Sequence, residues 1–302
     1  MTTTNVLTIT LNPSIDMAYY VDDFEMHEVN RVREVVKTAG GKGINVSKVL
    51  NILGVPVTAT GYVGGYNGAL LKSKLHDMNI RTDFVDVPIE TRNCINISSG
   101  GHNTEVLENT APVDAIFRDK LLVKLSGMDT FDYVAISGSC IDGIPKTIYY
   151  DIIKLFNAKN IPVILDVSAD VLSGILNTDA EVLMIKPNED EQRALMMDGA
   201  FVMPSNVQHV VISKGDKGLE CYSDARYTAN APDMTAVNPV GSGDASIAGF
   251  IYGFKTGLEH ALKCMVAAGS ANAAEVQTGH IKLSNFNDYL ENIEVTTHER
   301  FK

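Results

Sequence analysis

Short apolar strands alternate with helical segments along most of this chain of 302 residues, and that alternation constrains the fold more than any other feature. It is typical of an α/β fold, in which a mostly parallel sheet is covered by helices on both faces. In such sheets, ligands bind beyond the carboxyl ends of the strands. The predicted strands are Val6–Leu11, Val57–Tyr62, Tyr133–Ser137, Val163–Asp166, Val182–Lys186 and His209–Ser213. The predicted helices are Ile44–Leu53, Gly68–Met78, Thr147–Asn157, Glu189–Met197 and Leu258–Ala274.

Two segments do not follow this alternation. Met17–Lys37 and Thr91–Glu108 alternate polar and apolar residues, contain turn residues and are typical of antiparallel hairpins. They predict either a small separate sheet that lies over the main sheet as a lid, or ordinary edge strands of the main sheet. The pattern alone leaves both alternatives open.

The composition argues against several classes of function. A net charge of −12 disfavours general binding to nucleic acid or a membrane surface, although an anionic small molecule needs only a few local cations. No apolar run reaches the roughly 18 residues of a membrane span, and the first residues lack the pattern of a signal peptide. The four cysteines lie far apart without metal-binding spacing, so we expect reduced thiols in a cytoplasmic protein.

The run Asn238–Asp244 (NPVGSGD) immediately precedes an apolar helical segment. Its glycines let backbone amides approach a ligand, and a helix start supplies unpaired N–H groups and a positive dipole end. These features predict a seat for phosphate or for developing negative charge. An aspartate there is poorly suited to bind an anion but well suited to remove a proton. We therefore hypothesise that Asp244 is the general base of a phosphoryl transfer, with a simple N-cap role as the alternative.

A second glycine-rich run, Thr38–Asn45 (TAGGKGIN), opens a predicted helix. It is not a Walker loop, because Gly43 follows Lys42 where a serine or threonine is required. The three glycines around one lysine indicate either a close approach of the backbone to an anion, with Lys42 as the counter-charge, or a glycine-rich turn with a solvated lysine.

Two shorter polar segments are candidates for contacts with a substrate. Asn12–Asp16 (NPSID) follows the first strand, and the Asp16 carboxylate can accept hydrogen bonds from two vicinal hydroxyls of a substrate. Arg92 and Asn93 begin the second hairpin segment, and the planar fork of an arginine suits a terminal phosphate. Taken alone, the first segment is more typical of an exposed turn and the second of a solvated cation.

Two loops that follow predicted strands are compatible with nucleotide and metal binding. In Lys186–Glu191 (KPNEDE), Asn188 and Glu191 share one face of a first helical turn and can hold water ligands of a hydrated Mg²⁺. The alternative is an N-cap followed by acidic first-turn residues. Ile212–Gly218 (ISKGDKG) is typical of a turn that contacts nucleotide phosphates through backbone amides, or that simply begins a hairpin.

Taken in order, NPSID, TAGGKGINV, TRNC, ISGS, KPNEDE, VISKG and NPVGSGD resemble the ribokinase-like sugar kinases of the phosphofructokinase B group, over essentially the whole chain. GGKG, TRNC, NPVGSGD and NAAEVQTG (Asn272–Gly279) are most similar to the tagatose-6-phosphate kinase branch, with 1-phosphofructokinases next. The resemblance implies one three-layer α/β/α sandwich over residues 1–302, with a β-sheet lid from about 13–37 and 91–108. It also implies ATP, Mg²⁺ and transfer of the γ-phosphoryl group to a ketohexose phosphate.

The resemblance further implies roles for individual residues. Asp244 would be the base, and the residues that would form an anion hole beside it are Gly241, Ser242 and Gly243. Those that would hold the sugar phosphate are Asp16, Gly41, Lys42, Asn45, Arg92, Asn93 and Ser139. Those that would line the nucleotide pocket are Lys186, Asn188, Ser213, Lys214, Gly215, Gly218 and Asn272. Those linked to Mg²⁺, through water, are Asn188 and Glu191.

The chain departs from the family pattern at two places. Lys214 stands where leucine is common, and Cys140–Ile141 replaces a Leu-Pro pair after ISGS, which puts the role of that loop in doubt. Two rival functions remain: a sugar-phosphate sensor without catalysis, and a dinucleotide-dependent oxidoreductase. The intact Asp244 weighs against the first, and Ser246 at the third glycine position of GxGxxG weighs against the second. Exposed lid edges would favour pairing into a homodimer.

Overall fold

The computed structural model describes residues 4–187, 196–197 and 200–300. The strands, in chain order, are β1 (Val6–Thr10), β2 (Ser14–Tyr20), β3 (Glu34–Gly40), β4 (Val57–Val63), β5 (Arg81–Thr82), β6 (Val85–Asp86), β7 (Arg92–Ser99), β8 (His102–Leu107), β9 (Tyr133–Ser137), β10 (Val163–Asp166), β11 (Val182–Ile185), β12 (Met196–Met197), β13 (Ala200–Phe201), β14 (Val207–Ser213), β15 (Leu219–Tyr222), β16 (Ala225–Ala229) and β17 (Val295–Arg300). The helices are α1 (Lys42–Ile52), α2 (Gly65–Asp77), α3 (Ile116–Ser126), α4 (Ile148–Asn157), α5 (Ala169–Leu176), α6 (Ser242–Phe254), α7 (Leu258–Ala273) and α8 (Leu283–Glu291).

The large sheet has a parallel centre. Its order is β17-β16-β15-β14-β11-β10-β9-β1-β4-β5, with β6 also paired to β4. The strands from β5 to β14 run parallel, whereas β14 to β17 form an antiparallel meander. Because β4 lies on one side of β1 and the later strands lie on the other, the strand order reverses between β1 and β9. A ligand crevice is expected at such a reversal, beyond the carboxyl ends of the strands.

Two apolar cores cover the two faces of the large sheet. Alternate residues of β9 point to opposite faces, so Val134 and Ile136 join one core while Ala135 joins the other. Residues of α1, α2, α6, α7 and α8 pack into the core of Ala135, and residues of α3, α4 and α5 pack into the other core. These three layers confirm the predicted α/β/α sandwich with a mostly parallel sheet.

The two irregular segments of the sequence form a separate sheet of four strands, in the order β3-β2-β7-β8. The pairs β2/β3 and β7/β8 are antiparallel, as predicted, and β2 and β7 join them in parallel. This arrangement decides against the edge-strand alternative. The links to the rest of the chain are short, because residues 11–13 alone separate β1 from β2 and Gly41 alone separates β3 from α1.

Several predicted boundaries differ from the observed ones. The helix predicted to begin at Gly68 begins at Gly65, because the Glu90 carboxylate accepts hydrogen bonds from the N–H groups of Tyr66 and Asn67. Most of the helix predicted over Glu189–Met197 lies outside the described residues, and its last two residues form β12 instead. Helices α3, α5 and α8 were not predicted. In the described part of the chain, no helix is long and apolar enough to cross a membrane.

Candidate active site

The glycine-rich run ends in a tight turn that starts α6. Gly241 has φ +84°, in the left-handed region that favours glycine, and a Cβ on it would lie 2.5 Å from Thr278 Cγ2. The Ser242 N–H donates to the Pro239 carbonyl at 3.2 Å, so this amide already serves the turn. Asp244 lies in the first turn of α6, where the run predicts it.

Asn272 on α7 holds this turn in place. Its Nδ2 donates to the Val240 carbonyl at 2.9 Å, and its Oδ1 accepts from the Gly279 N–H at 2.9 Å. The Asn272 side chain is fully buried, so its amide ties together the two loops that flank the start of α6. Asn272 thus contributes to the site indirectly, by hydrogen bonds to the backbone of Val240 and Gly279.

The Asp244 carboxyl is buried and hydrogen-bonded. Its residue is 6% exposed, and Asn45 Nδ2 donates to its Oδ2 at 2.8 Å. Burial raises the pKa of Asp244 to about 7, and the negative charge of Asp166 adds to this rise. The Asn45 hydrogen bond and the charges of Lys42 and Lys186 oppose the rise. A pKa near neutral pH is favourable for the predicted role of general base.

Asp166 is a site residue that the sequence analysis missed. It ends β10, is 3% exposed, and lies 3.4 Å from Lys42 Nζ and 3.8 Å from Lys186 Nζ. A Cβ on Gly243 would lie 3.0 Å from Lys186 Nζ, so this ammonium group packs against the first turn of α6. Both lysines predicted to contact ligands thus converge on one carboxylate. An acidic residue at the carboxyl end of a central parallel strand was the available clue.

The Asp16 carboxylate lies on β2, next to the strand that carries Arg92. Ser14 Oγ donates to Asp16 Oδ1 at 2.7 Å, and a Cβ on Gly40 would overlap this carboxylate. Burial raises the pKa of Asp16, while the Ser14 hydrogen bond and the charges of Lys48 and Arg92 oppose the rise. Among the described residues, no group accepts a hydrogen bond from the buried Arg92 Nε. A buried donor without an acceptor suits an anionic ligand.

A cavity of about 250 Å³ lies between the small sheet and the loops 237–240 and 276–278. Its polar lining includes Asp16, Thr38, Asn96, Ser98, Asn238 and Gln277. The volume and the mixed polar lining suit a small hydroxylated ligand. The cavity therefore opens on the predicted sugar side of the site.

Of the residues predicted to hold sugar phosphate, Asn93 faces away from Arg92, and Ser139 keeps its role as a prediction. The Asn93 side chain donates to Glu108 at 3.0 Å and accepts from Asn67 Nδ2 at 2.9 Å. Because side chains alternate along β7, Asn93 lies on the face opposite to Arg92. Ser139 is exposed in the loop that follows β9.

The predicted nucleotide turn forms the hairpin between β14 and β15. The Lys214 N–H donates to the Gly218 carbonyl at 2.8 Å, and its side-chain ammonium lies 2.9 Å from a carboxylate oxygen of Glu220. Lys214 is therefore ion-paired with Glu220, and its predicted place in the nucleotide pocket stays a prediction. Ser213 and Gly215 belong to the same turn.

The predicted metal residues, Asn188 and Glu191, lie outside the described residues. Within the described ranges, there is no group of three or more His, Cys, Asp or Glu side chains that could hold a metal ion. A Mg²⁺ ion that keeps several waters and binds substrate phosphates does not need such a cage. The Mg²⁺ site thus stays a prediction.

The sequence matches the model of one protein family along most of its length. The model described as pfkB family carbohydrate kinase matches residues 4–284. The chain belongs to this family of carbohydrate kinases. Membership confirms the resemblance drawn from the motifs, and the phosphoryl acceptor of a carbohydrate kinase is an alcohol group.

Solved structures similar to this pfkB-family kinase span nearly its whole length. A Staphylococcus aureus protein provisionally named a phosphofructokinase is 28% identical, with a TM-score of 0.84 and coverage of 98% of this chain and 100% of that one. A Thermotoga maritima protein provisionally named a 1-phosphofructokinase is 25% identical, with a TM-score of 0.82 and coverage of 98% and 100%. Phosphofructokinase-2 from Escherichia coli, 23% identical, has a TM-score of 0.88 with coverage of 96% and 99%. This last likeness confirms the ribokinase-like fold.

Proposed function

We propose that this carbohydrate kinase transfers the γ-phosphoryl group of ATP to a hydroxyl of a ketohexose phosphate, converting tagatose 6-phosphate to tagatose 1,6-bisphosphate. The observation that carries the proposal is the Asp244 carboxyl, which is buried in the first turn of α6, bonded to Asn45 and has a pKa of about 7. A general base works best when its pKa lies near the working pH.

In the proposed reaction, Asp244 accepts the proton of the attacking sugar hydroxyl. The hydroxyl oxygen bonds to the γ-phosphorus as the bond from that phosphorus to the β-phosphate bridging oxygen breaks, and ADP leaves with the electron pair. Negative charge develops on the transferred group, and we propose that the backbone N–H groups of the turn Gly241–Asp244 stabilise it. Because the Ser242 N–H is engaged by Pro239, Gly243 and Asp244 carry most of this role.

We assign the sugar phosphate to the cavity beside Asp16. The carboxylate would accept hydrogen bonds from sugar hydroxyls, and Arg92, whose buried Nε has no acceptor among the described residues, would bind the phosphate group. Lys42 lies beside Asp166 and supplies a second positive charge. The other residues that we assign to this substrate are Gly41, Asn45 and Ser139.

We assign the nucleotide to the opposite side of Asp244. Lys186, packed against α6, and the turn of Ser213, Lys214, Gly215 and Gly218 would contact the phosphates of ATP. Because the Lys214 side chain is paired with Glu220, we assign it an indirect role, in which the ion pair stabilises this turn. Asn272 supports the pocket wall from behind. When bound, Mg²⁺ neutralises charge on the ATP phosphates, and we assign its water ligands to Asn188 and Glu191.

A kinetic panel tests the proposed substrate. With ATP and Mg²⁺ fixed, kcat/KM from a coupled assay of ADP release is expected to be highest for tagatose 6-phosphate, lower for fructose 1-phosphate and fructose 6-phosphate, and lowest for the unphosphorylated sugars. A maximum at fructose 1-phosphate would support the alternative, a 1-phosphofructokinase, a name that the Thermotoga maritima neighbour provisionally carries. Binding of sugar phosphate without any ADP release would support the non-catalytic sensor.

The same panel tests Arg92. Arg92→Ala is expected to raise KM for tagatose 6-phosphate by about 10- to 100-fold, because a charge-assisted contact contributes about 1.5–3 kcal/mol. KM for unphosphorylated tagatose should barely change. Arg81→Ala, at an exposed position on the far edge of the large sheet, is the control and should leave both values unaltered. An equal loss for both sugars would contradict a role on the phosphate group.

We further propose that the small sheet is a lid that pairs two copies of the chain. Met26 and Val29, between β2 and β3, are 72% and 85% exposed, and such apolar exposure favours an interface. Val29→Lys is expected to shift the protein from dimer to monomer in sedimentation velocity. Val123→Lys, at a position 72% exposed on α3, is the matched control. Wild-type protein that sediments as a monomer would overturn the proposal.

A further inference from the structure

A buried lysine lies on α1 one helical turn beyond Asn45. Lys48 is 5% exposed, and its Nζ donates to three oxygens. These are the Ala39 carbonyl at 3.2 Å, Asn45 Oδ1 at 3.2 Å and the Thr278 carbonyl at 2.8 Å. None of the roles described so far uses this lysine, yet its contacts reach the small sheet, α1 and the loop after α7.

Lys48 determines which way the Asn45 amide points. A lysine ammonium group has three donors and no acceptor, so it must face the amide oxygen and not the NH₂ group. With Oδ1 turned to Lys48, the NH₂ group of Asn45 is turned to Asp244, to which it donates at 2.8 Å. Gly279 closes the same side, because a Cβ on it would lie 2.6 Å from Asn45 Oδ1.

We propose that Lys48 is a positioning residue, which acts through Asn45 to keep the catalytic carboxylate of Asp244 supplied with a hydrogen-bond donor. A reversed Asn45 amide would present an oxygen to the ionised carboxylate and would stabilise its protonated form. The role of Lys48 in catalysis rests on the proposed function of Asp244 as the base. The effect of Lys48 on the titration of Asp244 is independent of that function.

The charges around Lys48 and Asp244 determine in which direction the loss of Lys48 shifts the Asp244 pKa. Asp16 on β2 and Asp244 on α6 both face Lys48, and burial lowers the Lys48 pKa to about 8 against their attraction. Asp166, Lys42 and Lys186 also face Asp244. Removing Lys48 takes away one cation and releases the Asn45 amide, and both changes favour protonated Asp244.

The test is Lys48→Met, which keeps the length of the side chain without its donors. Carbon-13 NMR of carboxyl-labelled aspartate, assigned with Asp244→Asn, reads the Asp244 titration in the free protein. We expect its pKa to rise by about one unit. The acid limb of the kcat/KM profile for tagatose 6-phosphate should move by the same amount, so that activity is lost near pH 7 and recovers at higher pH. An unchanged Asp244 titration overturns the proposal, whether or not the chain phosphorylates any of the sugars.

Lys159→Met is the matched control. Lys159 Nζ also donates to three oxygens, the carbonyls of Leu125, Ser126 and Met128, on the far side of the large sheet. This variant should lose stability without moving the Asp244 titration or the acid limb. If Lys159→Met moves them as much as Lys48→Met does, the effect is a general consequence of a weakened fold.

Two further variants test whether Lys48 acts on Asp244 through the Asn45 amide or directly. In an Asn45→Ala background, Lys48→Met should raise the Asp244 pKa by much less, because the amide through which Lys48 acts is gone. A full additional rise would mean that Lys48 acts on Asp244 directly. Lys48→Arg keeps the charge and the donors and should retain the wild-type titration. A folded Lys48→Arg protein with a raised Asp244 pKa would contradict the proposal even if Lys48→Met fails to fold.

Discussion

Asp244→Asn is expected to lower kcat by about 10²–10⁴-fold, the contribution of a general base. The asparagine amide has nearly the same shape but cannot take the proton of the sugar hydroxyl. The affinity for tagatose 6-phosphate should barely change, because the groups assigned to the sugar phosphate are untouched. Single-turnover kinetics with a parallel binding titration measure the two quantities. A wild-type kcat in this variant would show that Asp244 is not the base.

The same substitution should raise stability at neutral and alkaline pH. The folded pKa of Asp244 is about 7 against an ordinary value of 3.8, so between these values the native state binds a proton that the unfolded chain has lost. The free energy of unfolding therefore falls as pH rises through this window, and the cost is complete above it. Asp244→Asn removes this cost. Its Tm should exceed that of the wild type at pH 8 and match it near pH 4, and an equal difference at both pH values would contradict the raised pKa.

Gly279→Ala is expected to lower kcat by about 10²-fold, because a shift of about 1 Å in a catalytic arrangement has this effect. Its φ of +66° disfavours any side chain, and the added Cβ would lie 2.6 Å from Asn45 Oδ1. Asn45 must then move, and its hydrogen bond to Asp244 is lost. Steady-state kinetics at saturating substrates measure the effect.

Gly54→Ala is the matched control for this substitution. Gly54 has φ +75°, but a Cβ there would lie within 4 Å of no atom of the described residues. Both variants therefore carry the strain of a left-handed alanine, about 1–2 kcal/mol, and only Gly279→Ala carries the contact with Asn45. Gly54→Ala should lower Tm and leave kcat intact. Equal kcat values for the two variants would mean that the contact has no role in catalysis.

The sequence was sufficient to predict the sandwich and the position of Asp244, because both depend on local patterns. Strand and helix periodicity repeats through the parallel centre, and the Gly-Ser-Gly run directly precedes a helix start. Boundaries that depend on distant groups could not be predicted, as for α2, whose first amides are capped by Glu90. A partner 24 residues away leaves no trace in the local pattern.

The surroundings of the candidate base were harder to predict, because they are assembled from three elements other than its own helix. Asp166 and Lys186 come from neighbouring strand ends, and Lys48 is one turn beyond Asn45 on α1. In the sequence, Asp166 and Lys48 are ordinary charged residues in an apolar pattern, and Lys186 is predicted only as a nucleotide residue. Their significance lies in the distances between them and in their burial, which only the fold specifies. Asn93 shows that neighbours in sequence need not share a site, because side chains alternate along β7 and Asn93 lies on the face opposite to Arg92.

The short links of the small sheet to β1 and α1 connect the proposed sugar side of the site to the proposed base. Residues 11–13 join β1 to β2, and Gly41 joins β3 to α1, the helix that carries Lys42 and Asn45. If the small sheet rotates as the proposed lid, links this short are expected to turn the Asp16 carboxylate and the first turn of α1 with it. In the proposed function, closure over the sugar and alignment of Asp244 are then one motion, so we expect a sugar that fits the cavity badly to leave Asp244 misaligned as well.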